Sequence, residues 1–231
     1  MSAEVPLHRH SAPHRELARR YIAHYTKREY LLSMLLAGLY FAVSVVISFY
    51  AINYATEAAS NSVTDIILSN IPAFDVDGFF AYGTLLLIAF ITLLMLAHPK
   101  RVPFTLYTMG TFYIIRSAFT SLTHLAPFPS IPPNGDWGVL LGHFLFGGDL
   151  FFSAHVGVCF LMALIFWNDK VLRYVFLVWS VYMSVVVLIG HYHYSIDVAS
   201  AYFITYTIYV LCTKWFTRSH AVFSADPVPL P

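Results

Sequence analysis

Charged side chains are scarce in this chain. Asp, Glu, Lys and Arg make up 11% of its 231 residues, whereas 58% of the residues are hydrophobic and the mean hydropathy is +0.67. Such a composition is typical of a polytopic membrane protein and argues against a soluble globular domain. The formal net charge of +1 predicts neither an acidic partner nor a nucleic-acid partner.

Cysteine is scarce as well. Cys159 and Cys212 both lie inside apolar runs, so we expect no disulfide framework, and they indicate no redox compartment. The first 28 residues are polar and basic, and they contain no short apolar stretch that ends at a cleavage site. The sequence therefore predicts a basic cytosolic tail over 1–29 rather than a signal peptide.

What the chain has in abundance is long apolar runs. Six of them have about the length that a helix needs to cross a bilayer. They lie near 30–54, 78–98, 102–122, 150–167, 171–190 and 194–215. The sequence thus predicts an all-α polytopic membrane protein, with a six-helix membrane catalytic domain at 30–215 and a cytosolic C-terminal tail at 216–231.

The basic residues alternate between connections. Six of the 13 Lys and Arg residues precede the first run, and six more lie in the second connection, near the fourth connection and near the C-terminal end. Because cytoplasmic loops retain Lys and Arg, both termini are predicted to be cytosolic. The first, third and fifth connections then face the exoplasmic or lumenal side. The third, at 123–149, is long enough to form a lid or a substrate-orienting loop, and its length fits a passive connector equally well.

Two polar clusters, Gly148–His155 and His191–Asp197, interrupt the apolar second half of the chain. Ionisable groups in a membrane segment are costly and usually serve a site. The predicted topology places both clusters at the exoplasmic or lumenal ends of helices, on one membrane face.

Arg116 is the thirteenth basic residue, and it lies inside the third run. It stands some fourteen residues beyond the cytosolic end of that run, or roughly 21 Å along a helix. An arginine there is expected to face a polar cavity, and its planar guanidinium suits phosphate oxygens. Alternatively, it extends to the outer head groups, or it pairs with Asp75, Asp77 or Asp149.

His193 and Asp197 are four residues apart, so they share one face if the sixth helix begins there. A carboxylate in that position fixes the imidazole tautomer and leaves the other nitrogen as a nucleophile, while His155 protonates a leaving oxygen. Together with Arg116, these residues predict phosphoryl transfer through a phosphohistidine. The alternative is a metal such as zinc, but the histidines of the two clusters contain no His-x-x-x-His pair that would lie on one helix face. We therefore expect neither metal nor cofactor.

Both clusters carry a resemblance. Residues 148–155 resemble the Cys-Gly-Asp-x-x-x-Ser-Gly-His motif of the sphingomyelin synthases, and residues 193–205 resemble their His-Tyr-Thr-x-Asp-Val-x-x-Ala-Tyr-x-x-Thr block. The segment from Arg116 to Pro129 and the Pro72–Asp75 segment are similar to further parts of that family, so the resemblance covers roughly 70–215. The chain departs from the family pattern at three positions. Gly147 stands where the family has Cys, Ala154 stands where it has Gly, and Tyr192 stands where family members often have an acidic residue.

The resemblance implies membership in the type 2 phosphatidate phosphatase superfamily. It makes His193 the nucleophile, Asp197 its orienting partner and His155 the acid and base, with Asp149, Ser153 and Tyr194 beside Arg116 at the substrate. The implied reaction moves phosphocholine or phosphoethanolamine from a glycerophospholipid to ceramide and releases diacylglycerol without a metal. The expected partners are a phospholipid donor and a lipid acceptor, with a homo-oligomer also possible.

The number of basic side chains near the phosphate bears on which phosphate ester the protein would cleave. Superfamily phosphatases that act on a phosphomonoester dianion use several cations, whereas here Val187 occupies one of those positions and only Arg116 lies on the correct side. This favours transfer, or phospholipase C type cleavage, of a phosphodiester over lipid phosphate phosphatase activity. A second hypothesis is that the protein is a non-catalytic lipid-binding scaffold. Transport is disfavoured because no polar group lies at the midplane.

Overall fold

The computed structural model describes residues 28–129 and 150–224, and these residues form seven α-helices and one 3₁₀ turn, Pro99–Arg101, without a strand. The α-helices are α1 Arg28–Glu57, α2 Asp77–Ala97, α3 Val102–Leu122, α4 Ala154–Ile165, α5 Lys170–Ile189, α6 Ser195–Trp215 and α7 Thr217–Ser224. The predicted tail before residue 28 and most of the third connection, 130–149, lie outside the described residues.

The described helices are those of a multi-pass membrane protein. Four of them, α1, α2, α5 and α6, are long and apolar enough to cross a bilayer. Helix α3 has 21 residues, but threonines, Ser117 and Arg116 make it more polar. Helix α4 has 12 residues, which is about 18 Å and less than the roughly 30 Å of a hydrocarbon core.

The start of α4 differs from the predicted run at 150–167. The helix begins only at Ala154, because the backbone before it is bonded to other elements. The carbonyl oxygens of Phe151 and Phe152 accept hydrogen bonds from side chains of α3 instead of entering a helical ladder. Sequence hydropathy does not detect this non-helical segment, since its residues are as apolar as those of the helix.

Contacts between the connections define one end of the molecule, which we call the basic end. The Tyr30 hydroxyl donates to the carbonyl oxygen of Pro99 at 2.7 Å, and Arg218 pairs with Glu29 at 2.7 Å. The buried Arg101 guanidinium lies 5.1 Å from the ring centre of Phe166 and 5.3 Å from that of Phe223. Lys100 and Arg101 therefore lie at the same end as both described chain ends.

The opposite end holds residues 150–155 and 191–197, the described parts of the two polar clusters, and we call it the histidine end. There the Ser60 hydroxyl donates to the carbonyl oxygen of His124 at 2.7 Å, and the amide of Phe74 donates to the carbonyl oxygen of Ile189 at 2.9 Å. The first connection is thus fixed to the loops after α3 and α5. His155 and His193 lie beneath these loops, at the first turns of α4 and just before α6.

A glycine lets three helices meet directly below the histidines. A Cβ atom on Gly157 of α4 would lie 2.7 Å from the Phe112 ring of α3 and 3.0 Å from the Thr205 hydroxyl of α6. Both neighbours are fully buried, so neither can move away easily. The absence of a side chain at this position therefore sets the separation of α3, α4 and α6 next to His155.

We predict that Gly157→Ala lowers stability although alanine is the better helix former. Overpacking a tight core costs about 1–3 kcal/mol, which exceeds the roughly 1 kcal/mol gained in helix propensity. Gly38 in α1 is the matched control, since a Cβ there meets nothing within 4 Å. Thermal unfolding in detergent should show a lower Tm for Gly157→Ala and an unchanged or higher Tm for Gly38→Ala. Equal shifts in the two variants would contradict this account.

Candidate active site

The turn between α5 and α6 presents the first histidine. His191 adopts a left-handed backbone conformation with φ of 59°, and the amides of Tyr192 and His193 both donate to the carbonyl oxygen of Val187. This tight reversal directs His193 inward, where its side chain is buried. His191 is buried too, and burial lowers the pKa of its imidazole below the usual 6.5.

The hydrogen bonds of His193 assign its tautomer. Its Nδ1 lies 2.9 Å from the carbonyl oxygen of Leu150 and 3.4 Å from Oδ2 of Asp197. A carbonyl oxygen can only accept, so Nδ1 carries a proton, and in the neutral ring Nε2 then keeps its lone pair. A histidine in this state is prepared to attack an electrophile through Nε2.

Asp197 is fully buried at the first turn of α6. Its Oδ2 accepts from the amide of Tyr194 at 2.9 Å, closer than the contact with His193. Its Oδ1 is buried and has no hydrogen-bond partner among the described residues. Because the carboxylate lies at a helix N-terminus, the helix dipole favours its negative charge beside the imidazole.

The segment 150–153, which leads into α4, is hydrogen-bonded mainly to side chains of other elements. Three consecutive carbonyl oxygens accept one side-chain hydrogen bond each. These are Leu150 from His193 Nδ1 at 2.9 Å, Phe151 from Thr120 Oγ1 at 2.8 Å, and Phe152 from Arg116 Nε at 2.7 Å. The amide of Ser153 in turn donates to the carbonyl oxygen of Asp197 at 3.2 Å. This segment therefore joins α3, α4 and α6 into one site.

Arg116 and His155 complete the arrangement. Arg116 is only 2% exposed, and its bond to Phe152 brings it to the start of α4. The ring centre of His155 lies 6.4 Å from that of His193 and 4.4 Å from that of Phe80. The two imidazoles are tilted by 54° to each other and are close enough to contact opposite sides of one small group. The Nδ1 of His155 is buried without a hydrogen-bond partner in the described part of the chain.

The other residues predicted to contact the substrate are Ser153, Tyr194 and Asp149. Ser153 is fully buried at the N-cap position of α4, and its hydroxyl has no partner among the described residues. The hydroxyl of Tyr194 donates to the carbonyl oxygen of Ala126 at 2.8 Å and accepts from the amide of Val63 at 3.3 Å. The structure therefore places this phenol among the loops rather than beside His155. Asp149 lies outside the described residues.

The sequence interpretation missed Asp65. Its Oδ2 accepts from the amide of Ser195 at 2.8 Å and from the Ser195 hydroxyl at 2.6 Å, while its Oδ1 accepts from the amides of Ile67 and Leu68. The first connection is thereby fixed to the N-terminus of α6. No local pattern links Asp65 to a residue 130 positions away, so sequence reasoning had no signal for this contact.

Tyr192, which the sequence shows only as a departure from the family pattern, contacts α2 beside the site. Its hydroxyl donates to Oδ1 of Asp77, and its ring centre lies 4.9 Å from that of Phe80. Burial, together with the hydrogen bond to Asp77, raises the pKa of the Tyr192 phenol. Phe80 therefore lies between His155 and the hydrogen-bonded pair of Tyr192 and Asp77.

Within 28–129 and 150–224, no three His, Cys, Asp or Glu side chains are grouped so as to hold a metal ion.

One comparison with known proteins gives a match. Residues 147–214 match the family model described as PAP2 superfamily C-terminal, and this span contains both histidines and Asp197. The match supports the type 2 phosphatidate phosphatase superfamily. Members of that superfamily are lipid phosphatases or phosphotransferases, so the match points to lipid phosphate chemistry. No curated protein and no solved structure matches the chain.

Asp65 gives a pH-dependent prediction. Burial opposes its ionisation, but hydrogen bonds from Ser195, Leu68 and Ile67 outweigh burial and lower the pKa of Asp65 below 3.8. The carboxylate therefore stabilises the folded protein fully above the unfolded-state pKa, and this contribution is lost as the pH falls through the lower folded-state pKa. At neutral pH, Asp65→Asn should cost about 1–3 kcal/mol, because the amide leaves donors of Ser195 unpaired.

The measurement is unfolding of both proteins in a nonionic detergent across the acid range. The stability difference should be constant at neutral pH and shrink below pH 3.8. Asp169→Asn is the control, because Asp169 caps α5 at the basic end and asparagine caps about as well. A difference that persists unchanged at the lowest pH, or an equal loss in the control, would refute the role given to Asp65.

Proposed function

We propose that this protein is a membrane lipid phosphotransferase of the sphingomyelin synthase type. It moves phosphocholine or phosphoethanolamine from a glycerophospholipid to ceramide or a related lipid and releases diacylglycerol. The observation that carries this proposal is the pair of imidazoles, in which Nδ1 of His193 is held by Leu150 and the ring centre of His155 lies 6.4 Å away.

The reaction proceeds in two displacements at phosphorus. In the first, Nε2 of His193 attacks phosphorus and the bond to the diacylglycerol oxygen breaks, while a protonated His155 gives its proton to that oxygen. In the second, neutral His155 takes the proton of the acceptor hydroxyl. The acceptor oxygen then attacks phosphorus and the bond to His193 breaks. Asp197 stabilises the positive charge that develops on His193.

Charge supports a phosphodiester substrate. In the described chain, Arg116 is the single Lys or Arg at the histidine end, whereas Lys100, Arg101 and Arg218 lie at the basic end. A diester carries one negative charge, and one arginine offers a matching positive charge. A monoester dianion would gain more from several cations than this site supplies.

The same charges support a membrane orientation. We infer six membrane-spanning segments, with α3 and the short α4 completing the four long apolar helices, and with both termini in the cytosol. The basic end then faces the cytosol, in keeping with the preference of Lys and Arg for cytoplasmic loops. The histidine end faces the exoplasmic or lumenal side. Because α4 begins below the loops, the site is recessed toward the acyl chains of that leaflet.

Hydrolysis is the second candidate. The superfamily match applies equally to lipid phosphatases, and the first displacement is identical when water replaces the lipid acceptor. In that case diacylglycerol appears without ceramide. A non-catalytic scaffold would retain the helices but would not need the nucleophile.

We predict that His193→Ala abolishes turnover by orders of magnitude, because the nucleophile itself is removed. The assay uses purified protein in mixed micelles and lipid mass spectrometry, with phosphatidylcholine, phosphatidylethanolamine and ceramide, and with phosphatidate in a separate reaction. His124→Ala is the matched control, since His124 is exposed at the same end and its ring contacts Tyr54. It should retain the activity of the parent protein.

The products separate the alternatives. Diacylglycerol that forms only with ceramide supports transfer, and diacylglycerol that forms without it supports the hydrolase. Fast phosphate release from phosphatidate, with no diacylglycerol from the diesters, would overturn the preference for diesters. A cellular activity that His193→Ala leaves unchanged would favour the scaffold.

A further inference from the structure

A long apolar groove runs along the membrane-facing side of the molecule between α2 and α5. It encloses about 1010 Å³. Its walls are mainly aromatic and aliphatic side chains. They include Phe79, Tyr82 and Leu86 from α2 and Tyr174, Val178 and Tyr182 from α5. The catalytic scheme proposed above uses none of these residues.

A hydrogen bond and a close approach at a glycine join the two walls of the groove. Across it, the Tyr182 hydroxyl donates to the carbonyl oxygen of Phe79 at 2.9 Å, and a Cβ on Gly83 would lie 2.9 Å from the Tyr182 ring. Gly78 lies at the groove as well, and a Cβ there would meet nothing closer than 3.9 Å. The two helices thus contact each other at Tyr182 and Gly83, and space remains beside Gly78.

The surroundings of the groove limit what can occupy it. Both walls belong to helices that are long and apolar enough to cross a bilayer. At the groove, Phe79 is 66% exposed and Val178 is 68% exposed. In a membrane such side chains contact hydrocarbon, so the molecules at hand to fill an apolar groove at this depth are lipid chains.

One end of the groove lies near the candidate active site, but none of the residues that line the groove belongs to that site. Asp75 and Gly78 line it there, and Phe80, two residues further along α2, lies 4.4 Å from His155 between ring centres. A chain lying in the groove therefore has its polar end at the level of His155. The exposed carboxylate of Asp75 at this end is complementary to a cationic amine, such as that of choline or ethanolamine.

We propose that this groove binds an acyl chain of the donor, a zwitterionic phospholipid, and thereby presents the phosphodiester to His155 and His193. The identity of the bound lipid as the donor rests on the proposed function, whereas its binding in the groove does not. A groove of this volume lies at the upper end of the usual range for ligand sites.

The test uses the full chain in nanodiscs and phosphatidylcholine with a diazirine in one acyl chain. Val178→Trp fills the groove, and Val181→Trp is the matched control on the same helix, since Val181 is 59% exposed and lies outside the groove. Labelling of the α2 peptide with Tyr82 and Leu86 should saturate with lipid. It should fall about tenfold in Val178→Trp and stay within about twofold in the control.

Several results would overturn the proposal. Labelling that rises linearly with lipid, or that Val178→Trp leaves unchanged, would show ordinary contact with surrounding lipid. A Val178→Trp protein that loses self-association, with unchanged labelling, would show that a second copy covers the groove.

Activity separates this proposal from the proposed function. Where the parent protein releases diacylglycerol, Val178→Trp should raise KM for phosphatidylcholine about tenfold with little change in kcat. If the parent protein releases none but the labelling saturates and responds to Val178→Trp, the proposed function fails and the lipid site stands.

Discussion

The site depends on one unusual piece of backbone, the segment 150–153. It lies directly before a helix of only 12 residues and forms no helical ladder of its own. Buried backbone carbonyls must be hydrogen-bonded, and in a membrane protein water is not at hand to do so. Here the donors are His193, Thr120 and Arg116, so the bonds that satisfy the backbone also position the groups proposed to react.

Two further contacts hold together the elements that carry the site. Asp65 fixes the first connection to the start of α6, and Gly157 lets α3, α4 and α6 approach one another below the histidines. Each contact joins segments that are far apart in sequence. Loss of either contact would disturb His193, because both contacts join α6, which directly follows the histidine turn, to other elements.

The sequence predicted those features that side-chain chemistry reveals. Apolar length located the helices, and the described parts of the two polar clusters do lie at one end of the molecule. The prediction could not foresee that a backbone carbonyl, that of Leu150, is closer to His193 than Asp197 is, since a carbonyl oxygen has no sequence signature. For the same reason the hydroxyl of Tyr194 was predicted at the substrate, whereas it is bonded to the backbone of two loops.

The central claim is that Nε2 of His193 becomes covalently bonded to phosphorus. The most direct measurement is rapid quenching of the parent protein with phosphatidylcholine labelled in its head group and without an acceptor, followed by peptide mass spectrometry. The account predicts labelled phosphocholine on the peptide that contains His193, and its disappearance when ceramide is added before quenching. Turnover with the label on His155, or on no residue at all, would contradict it.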